Sequence, residues 1–305
     1  MANKRLNRLS SVPDAFIEKL SPIQRAIFEK LLAKLSGLKT VDGFIDRTLG
    51  NQRIVDEIRT FIHDELLKTN YPKAVKDFAD EFSVQSELTK SYYSAAFETT
   101  FSTALADASV KQIKKSVVQA LITDSVQAGF LSPLENTLSV AVNSGASFVE
   151  TVKSIRDFVE GNEDVDGAIL KYSKQLAHDS FANSDRAYNS AIADELEIEW
   201  FLWAGGEIAT SRCFCIERHG KHYHYKEIEK WGRKEDVGEC NIGDGWAGMN
   251  RSTDEKTIFT YAGGYGCLHT VAGVSIFDVP KEDVIRNIEN GNYTPSKTEA
   301  EFFGL

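Results

Sequence analysis

Proline is scarce in this chain, at six of 305 residues. The interior pair Pro72 and Pro133 falls between runs of helix-spaced apolar residues rather than within them, so long helices go unbroken. No apolar run is long enough to cross a bilayer. The basic start, Met1 to Arg8, lacks the apolar centre of a signal peptide, so the expectation is a soluble protein used without export and with no stable membrane anchor. Net positive charge is missing too: 45 acidic against 35 basic residues give −10. Wrapping nucleic acid irrespective of sequence needs clustered Lys and Arg, so weak or no direct DNA binding is expected. Cysteine is rare, with four in all. A chain of this length can bury a sizeable core, so the thiols are expected to be free or metal-bound rather than a disulfide framework. No fixed period links the helical runs, which excludes a solenoid of equal repeats.

What is present first is helix. Ile23, Ile27, Phe28, Leu31, Leu32 and Leu35 follow Ser21-Pro22 at helical spacing and stop at Gly37. Similar stripes run from Ile54 to Leu66, from Val75 to Phe97, from Val110 to Ile122 with Gly129 as the stop, and from Phe148 to Phe158 between Ser147 and Gly161. A longer, more polar helix is predicted from Asp166 to about Glu195. Residues 1–195 thus read as a multi-helix, elongated α region with a flexible arm at 1–12.

At Glu197 the texture changes. All four tryptophans, all four cysteines and four of the six histidines fall between Trp200 and His269. Strands are predicted at Ile198–Leu202, Thr257–Tyr261 and Val271–Phe277, with a helix or turn at Glu227–Trp231 and glycine-rich loops between. Gly243-x-Gly245-x-x-Gly248 matches a dinucleotide fingerprint in letters alone, because no strand-then-helix frames it. Residues 196–279 read as a small, loop-rich α+β domain. A helix from Glu282 to Ile288 and a polar tail make up 280–305.

Three chemistries are open to this stretch. The first is a packed scaffold, in which free cysteines act as small hydrophobes and Arg212 and Arg218 bridge loop carbonyls. The second is a structural zinc site on Cys215, Cys267 and His269, with His219 or alternatively Cys240 as fourth ligand. Here Cys213-x-Cys215 and Cys267-x-His269 would each share one face of a strand. The third is catalysis by a Cys–His pair, or a nuclease centre at His219, His222 and His224 served by Glu227, Glu239 or Asp244. A disulfide between Cys215 and Cys267 is a further outcome in an oxidising setting.

Trp203-x-Gly205, Arg212-x-x-Cys215-x-x-Arg218-x-Gly220-Lys221 and Gly263-Gly264-Tyr265-x-Cys267-x-His269 together resemble the C-terminal domain of tailed-phage minor head proteins, the Mu protein F-like or head morphogenesis family. The preceding helix, Gln175 to Glu195 with its Ser184-Asp185-Arg186-Ala187-Tyr188-Asn189 segment, fits the same pattern. Gly266 and Leu268 depart from it, standing where the family tends to have Asn and Arg; Arg212 or Arg218 is expected to substitute for the missing guanidinium. The resemblance spans residues 145–279. It implies a virion protein with no catalytic residue, assembled in the host cytoplasm in a few copies at the portal or capsid interior. Portal, capsid or scaffold proteins are its implied partners, and it could be ejected with the DNA. Helical stripes then either pack internally or dock on portal helices. The rivals are a metal-dependent nuclease or toxin-like domain on a helical delivery region, and an injected protein that rearranges in the envelope.

Overall fold

Helical periodicity becomes helix nearly everywhere it was read. The computed structural model describes residues 2–124, 126–206, 209 and 211–305. In chain order the elements are α1 (Ala2–Glu18), α2 (Leu20–Leu35), β1 (Thr40–Val41), β2 (Phe44–Ile45), α3 (Leu49–Lys68), α4 (Tyr71–Phe97), α5 (Ala104–Gln119), α6 (Ser132–Ser144), α7 (Phe148–Glu160) and α8 (Ala168–Glu195). Then come β3 (Trp200–Ala204), α9 (Cys213–Arg218), β4 (His222–His224), α10 (Tyr225–Gly232), α11 (Ile258–Tyr261), β5 (Thr270–Val274), α12 (Lys281–Glu289) and α13 (Lys297–Phe303). A many-helix N-terminal region thus leads into a small, loop-rich α+β region. Among the described residues, no helix is long and apolar enough to cross a membrane.

The chain forms two units, and neither is one continuous stretch. One comprises residues 12–80 and 114–177; the other comprises 1–11, 81–113 and 178–305. The linear division at 195 and 279 therefore does not hold, because the chain passes between units inside α1, α4, α5 and α8.

In the first unit α2, α3, α6 and α7 bury their stripes together, with Ile27, Leu31, Val55, Ile58, Ile62, Leu138, Val142 and Ile155 out of solvent. Asn51 ties down the β1–β2 hairpin: its side-chain amide donates to the carbonyls of Lys39 (2.9 Å) and Asp46 (2.7 Å) and accepts from the Lys39 N–H. Ser21 does not cap α2, which starts one residue earlier and takes Pro22 into its first turn. Nor does Gly129 stop a helix. It lies in a π-helical turn, Gln127–Leu131, on the way to α6, where a Cβ would stand 2.4 Å from the Tyr172 ring. The missing side chain serves a close approach, and the π turns absorb the change of register.

The second unit is built on a three-stranded antiparallel sheet in the order β4-β3-β5, with Trp200 opposite both His224 and Val274. Alternation sends Phe201 and Trp203 to one face, with Phe214, Trp231 and Trp246, and Trp200 to the other, with Val284, Tyr293 and Phe303. Two expected features are replaced by helix. Residues 258–261 form α11 instead of a strand, and the polar tail contains α13, opened by a Ser296–Glu299 capping box and docked through Phe303. The flexible arm is also absent, since residues 2–18 are helical and both Arg5 and Leu9 are buried. Arg5 lies 3.6 Å from the Asp185 carboxylate, which also accepts from Gln85, Thr89 and Thr270.

Candidate metal centre

Two short segments bring the site together. Cys215 lies in α9, and Cys267 and His269 lie in the extended turn that enters β5. The Sγ atoms of Cys215 and Cys267 are 3.6 Å apart, and Cys267 Sγ is 3.9 Å from His269 Nδ1. A tetrahedral shell with Zn–S near 2.3 Å and Zn–N near 2.0 Å would place its donors roughly 3.5–3.8 Å apart. The three ligand atoms all lie within 4.8 Å of one another, and all three residues are buried, so the cluster could hold a metal ion. The hydrogen bond with Cys215, helped by His269 and the Arg186 guanidinium, lowers the Cys267 thiol from its ordinary value despite its burial. Cys215, hydrogen-bonded to Cys267 and buried, is pushed up.

Three guanidiniums hold the surrounding loops. Arg186, buried in α8, donates to the carbonyls of Cys267 and His269, the latter at 2.7 Å. Arg212 donates to the carbonyls of Gly263 and Tyr265. Arg218 donates to Phe214 and Val237, each at 3.0 Å, and lies over the Phe214 and Trp231 rings. Arg186 and Arg212 thus both hold the turn that enters β5, whereas Arg218 braces the other side of α9. Lys221 is exposed and donates to the Glu217 carbonyl.

The remaining motif residues fit against these. Trp203 is fully buried, its ring stacked on that of His269 at 6.2 Å between centroids. Gly205 abuts His269, and Gly264 abuts Gly248. Gly220 donates its N–H to the Trp203 carbonyl in the turn before β4. Gly263 abuts the thiols: a Cβ there would lie 2.2 Å from Cys215 Sγ and 2.8 Å from Cys267 Sγ. Only glycine leaves the two sulfurs room.

Cys240 does not join the cluster. It is bonded to Cys213 across 27 residues, contrary to the expectation of free or metal-bound thiols throughout. The reason is local. Cys213 and Cys215 lie on a helix rather than a strand, so positions two apart diverge by about 200° and face different neighbours. Cys267 and His269, on extended chain, do share a side. Cys215 and Cys267 are free thiols, not a disulfide.

His219 does approach, but from behind. Its Nδ1 is 3.3 Å from His269 Nε2, the ring nitrogen turned away from the thiols. The three histidines of the nuclease alternative do not converge. His222 and His224 share a face of β4, where His222 Nδ1 meets Asp283 at 3.3 Å and His224 packs on Trp200 and Tyr293. Burial, with the Lys226 ammonium adding to it, lowers His224 to about 4, so its ring stays neutral. Glu227 is raised by its own burial.

Beside the cluster opens a cleft of about 240 Å³, lined by Gly206, Arg212, Cys215, Gly266, Cys267 and His269 among others. The sequence pointed to the thiols and His269 but assigned no role to Arg186 or Asp185. The available signal was two adjacent charges in an otherwise small and polar helical segment. No family model, curated protein or solved structure matches the chain.

Proposed function

We propose that this chain is a minor head protein of a tailed bacteriophage, bound to the portal or capsid interior during assembly, whose C-terminal region is held by a zinc ion on Cys215, Cys267 and His269. One observation carries the proposal. Arg186, Trp203, Arg212, Cys215, Cys267 and His269, all within the segments that carry the family resemblance, are spread along the chain, yet they meet at a single place. Trp203 stacks on His269, Arg186 and Arg212 hold the turn that carries Cys267, and Cys215 closes on Cys267. A signature that sets the shape of a domain needs that convergence, and it needs no catalytic residue. Thiolate and imidazole are the donors zinc prefers in structural sites. The acidic chain suits a protein ring better than a like-charged duplex.

Two measurements test it. Zinc, counted by elemental analysis on protein purified without an affinity metal, should reach about one per chain, and both Cys267→Ala and Gly263→Ala should lose it. The second variant keeps every ligand and takes only the space. Metal-free wild-type protein would sink the zinc assignment. Co-expression with the portal protein of the same phage should give a complex that survives gel filtration. No complex, together with metal-dependent cleavage of plasmid DNA, would instead favour the nuclease.

A further inference from the structure

The described residues supply this centre with three donors, and zinc bound by thiolate and imidazole takes four. Among the described residues, no further Cys, His, Asp or Glu atom joins Cys215, Cys267 and His269 in the cluster. His219, the fourth ligand expected from sequence, is committed elsewhere. If His269 binds through Nδ1, the nitrogen beside the Cys267 sulfur, its Nε2 must carry the proton and donate it to His219 Nδ1 at 3.3 Å. That arrangement makes His219 a positioning residue, fixing the tautomer and ring plane of a ligand rather than being one.

Among the described residues, the remaining direction is open. Cys215, Cys267 and His269 all line the cleft of about 240 Å³, and Arg212 lines it with them. Two of the five guanidinium N–H donors of Arg212 face the carbonyls of Gly263 and Tyr265, which leaves others for a guest. We infer that the fourth coordination position faces this cleft and takes an exogenous oxygen ligand: water at rest, replaced by a small carboxylate that Arg212 attracts. The inference rests on the metal-binding assignment above and extends it, since a centre with three protein ligands and one open position exchanges its fourth ligand, whereas a closed four-ligand knot does not. Two thiolates cancel the charge of a divalent ion, so the guanidinium is what favours an anion over water.

Cobalt(II) reports this directly, because its ligand-field bands distinguish coordination number and shift when a ligand is exchanged. The full chain, with Cys215 and Cys267 kept reduced and the zinc removed, is loaded with cobalt and titrated with acetate. Tetrahedral bands with thiolate charge transfer should appear, and acetate should shift the ligand-field part in a saturable way. His219→Ala should retain the tetrahedral bands and the acetate response, with cobalt affinity lowered by about 10–100-fold. Arg212→Lys should load cobalt normally and require several-fold more acetate. Bands that ignore acetate at every concentration would overturn the open position, as would a His219→Ala protein that gains an acetate response the wild type lacks. Failure to bind cobalt at all would overturn the metal assignment itself.

Discussion

Asp185 and Arg186 are neighbours in α8 and both are buried, yet they serve different partners. Asp185 receives Arg5, Gln85, Thr89 and Thr270, while Arg186 reaches the carbonyls of Cys267 and His269. Neither charge is affordable inside a protein without such partners, which is why a buried ionic group marks a junction of several segments. His224 makes a contrasting choice and remains neutral. Its folded value of about 4 lies below the ordinary 6.5, so between those limits the unfolded chain binds a proton that the native ring does not. Acid therefore favours unfolding in that window, and stability should fall as pH drops from 6.5 towards 4. Thermal melts of wild type and His224→Gln across that range should diverge, with the variant losing less. Coincident curves would mean that another group sets the acid limb.

At the level of elements, capping and helical phase decide what the sequence pattern left ambiguous. The last sixteen residues look polar in composition, but Ser296 and Glu299 form a capping box that starts α13 and turns Phe303 inward beside Trp200 and Tyr293. Phe303→Ala should therefore cost about 3 kcal/mol in urea denaturation, a value fitting a buried aromatic rather than a tail. A midpoint equal to that of wild type would show the terminal turn to be undocked. The same logic of phase separates the cysteines. A helix at 213–218 sends Cys213 to Cys240 and Cys215 to Cys267, whereas a strand would have sent both the same way.

For the molecule as a whole, net charge is the property that reaches furthest. With 45 acidic and 35 basic residues, the chain has no surplus of cations to exchange for the counterions of a duplex. Fluorescence anisotropy should detect no binding to random duplex DNA at about 0.15 M salt. Saturable binding there would contradict a role confined to protein partners. The two units also bear on engineering. Because each gathers separate stretches of chain, a cut at residue 195 would remove 81–113 and 1–11 from the unit that holds Cys215, Cys267 and His269.

The sequence by itself determined the helical N-terminal half, the long α8 and the sheet strand at Trp200, and it named Cys215, Cys267 and His269 as one candidate ligand set. These rest on local periodicity, and on residue types whose chemistry narrows their options. Tertiary structure alone decided the rest. Pairing Cys213 with Cys240, turning His219 behind His269, and drawing residues 1–11 and 81–113 into the C-terminal unit all depend on long-range packing, which no window of neighbouring residues encodes. The space that Gly263 leaves for two sulfurs is of the same kind: its letter is local, but its reason is a contact across the fold.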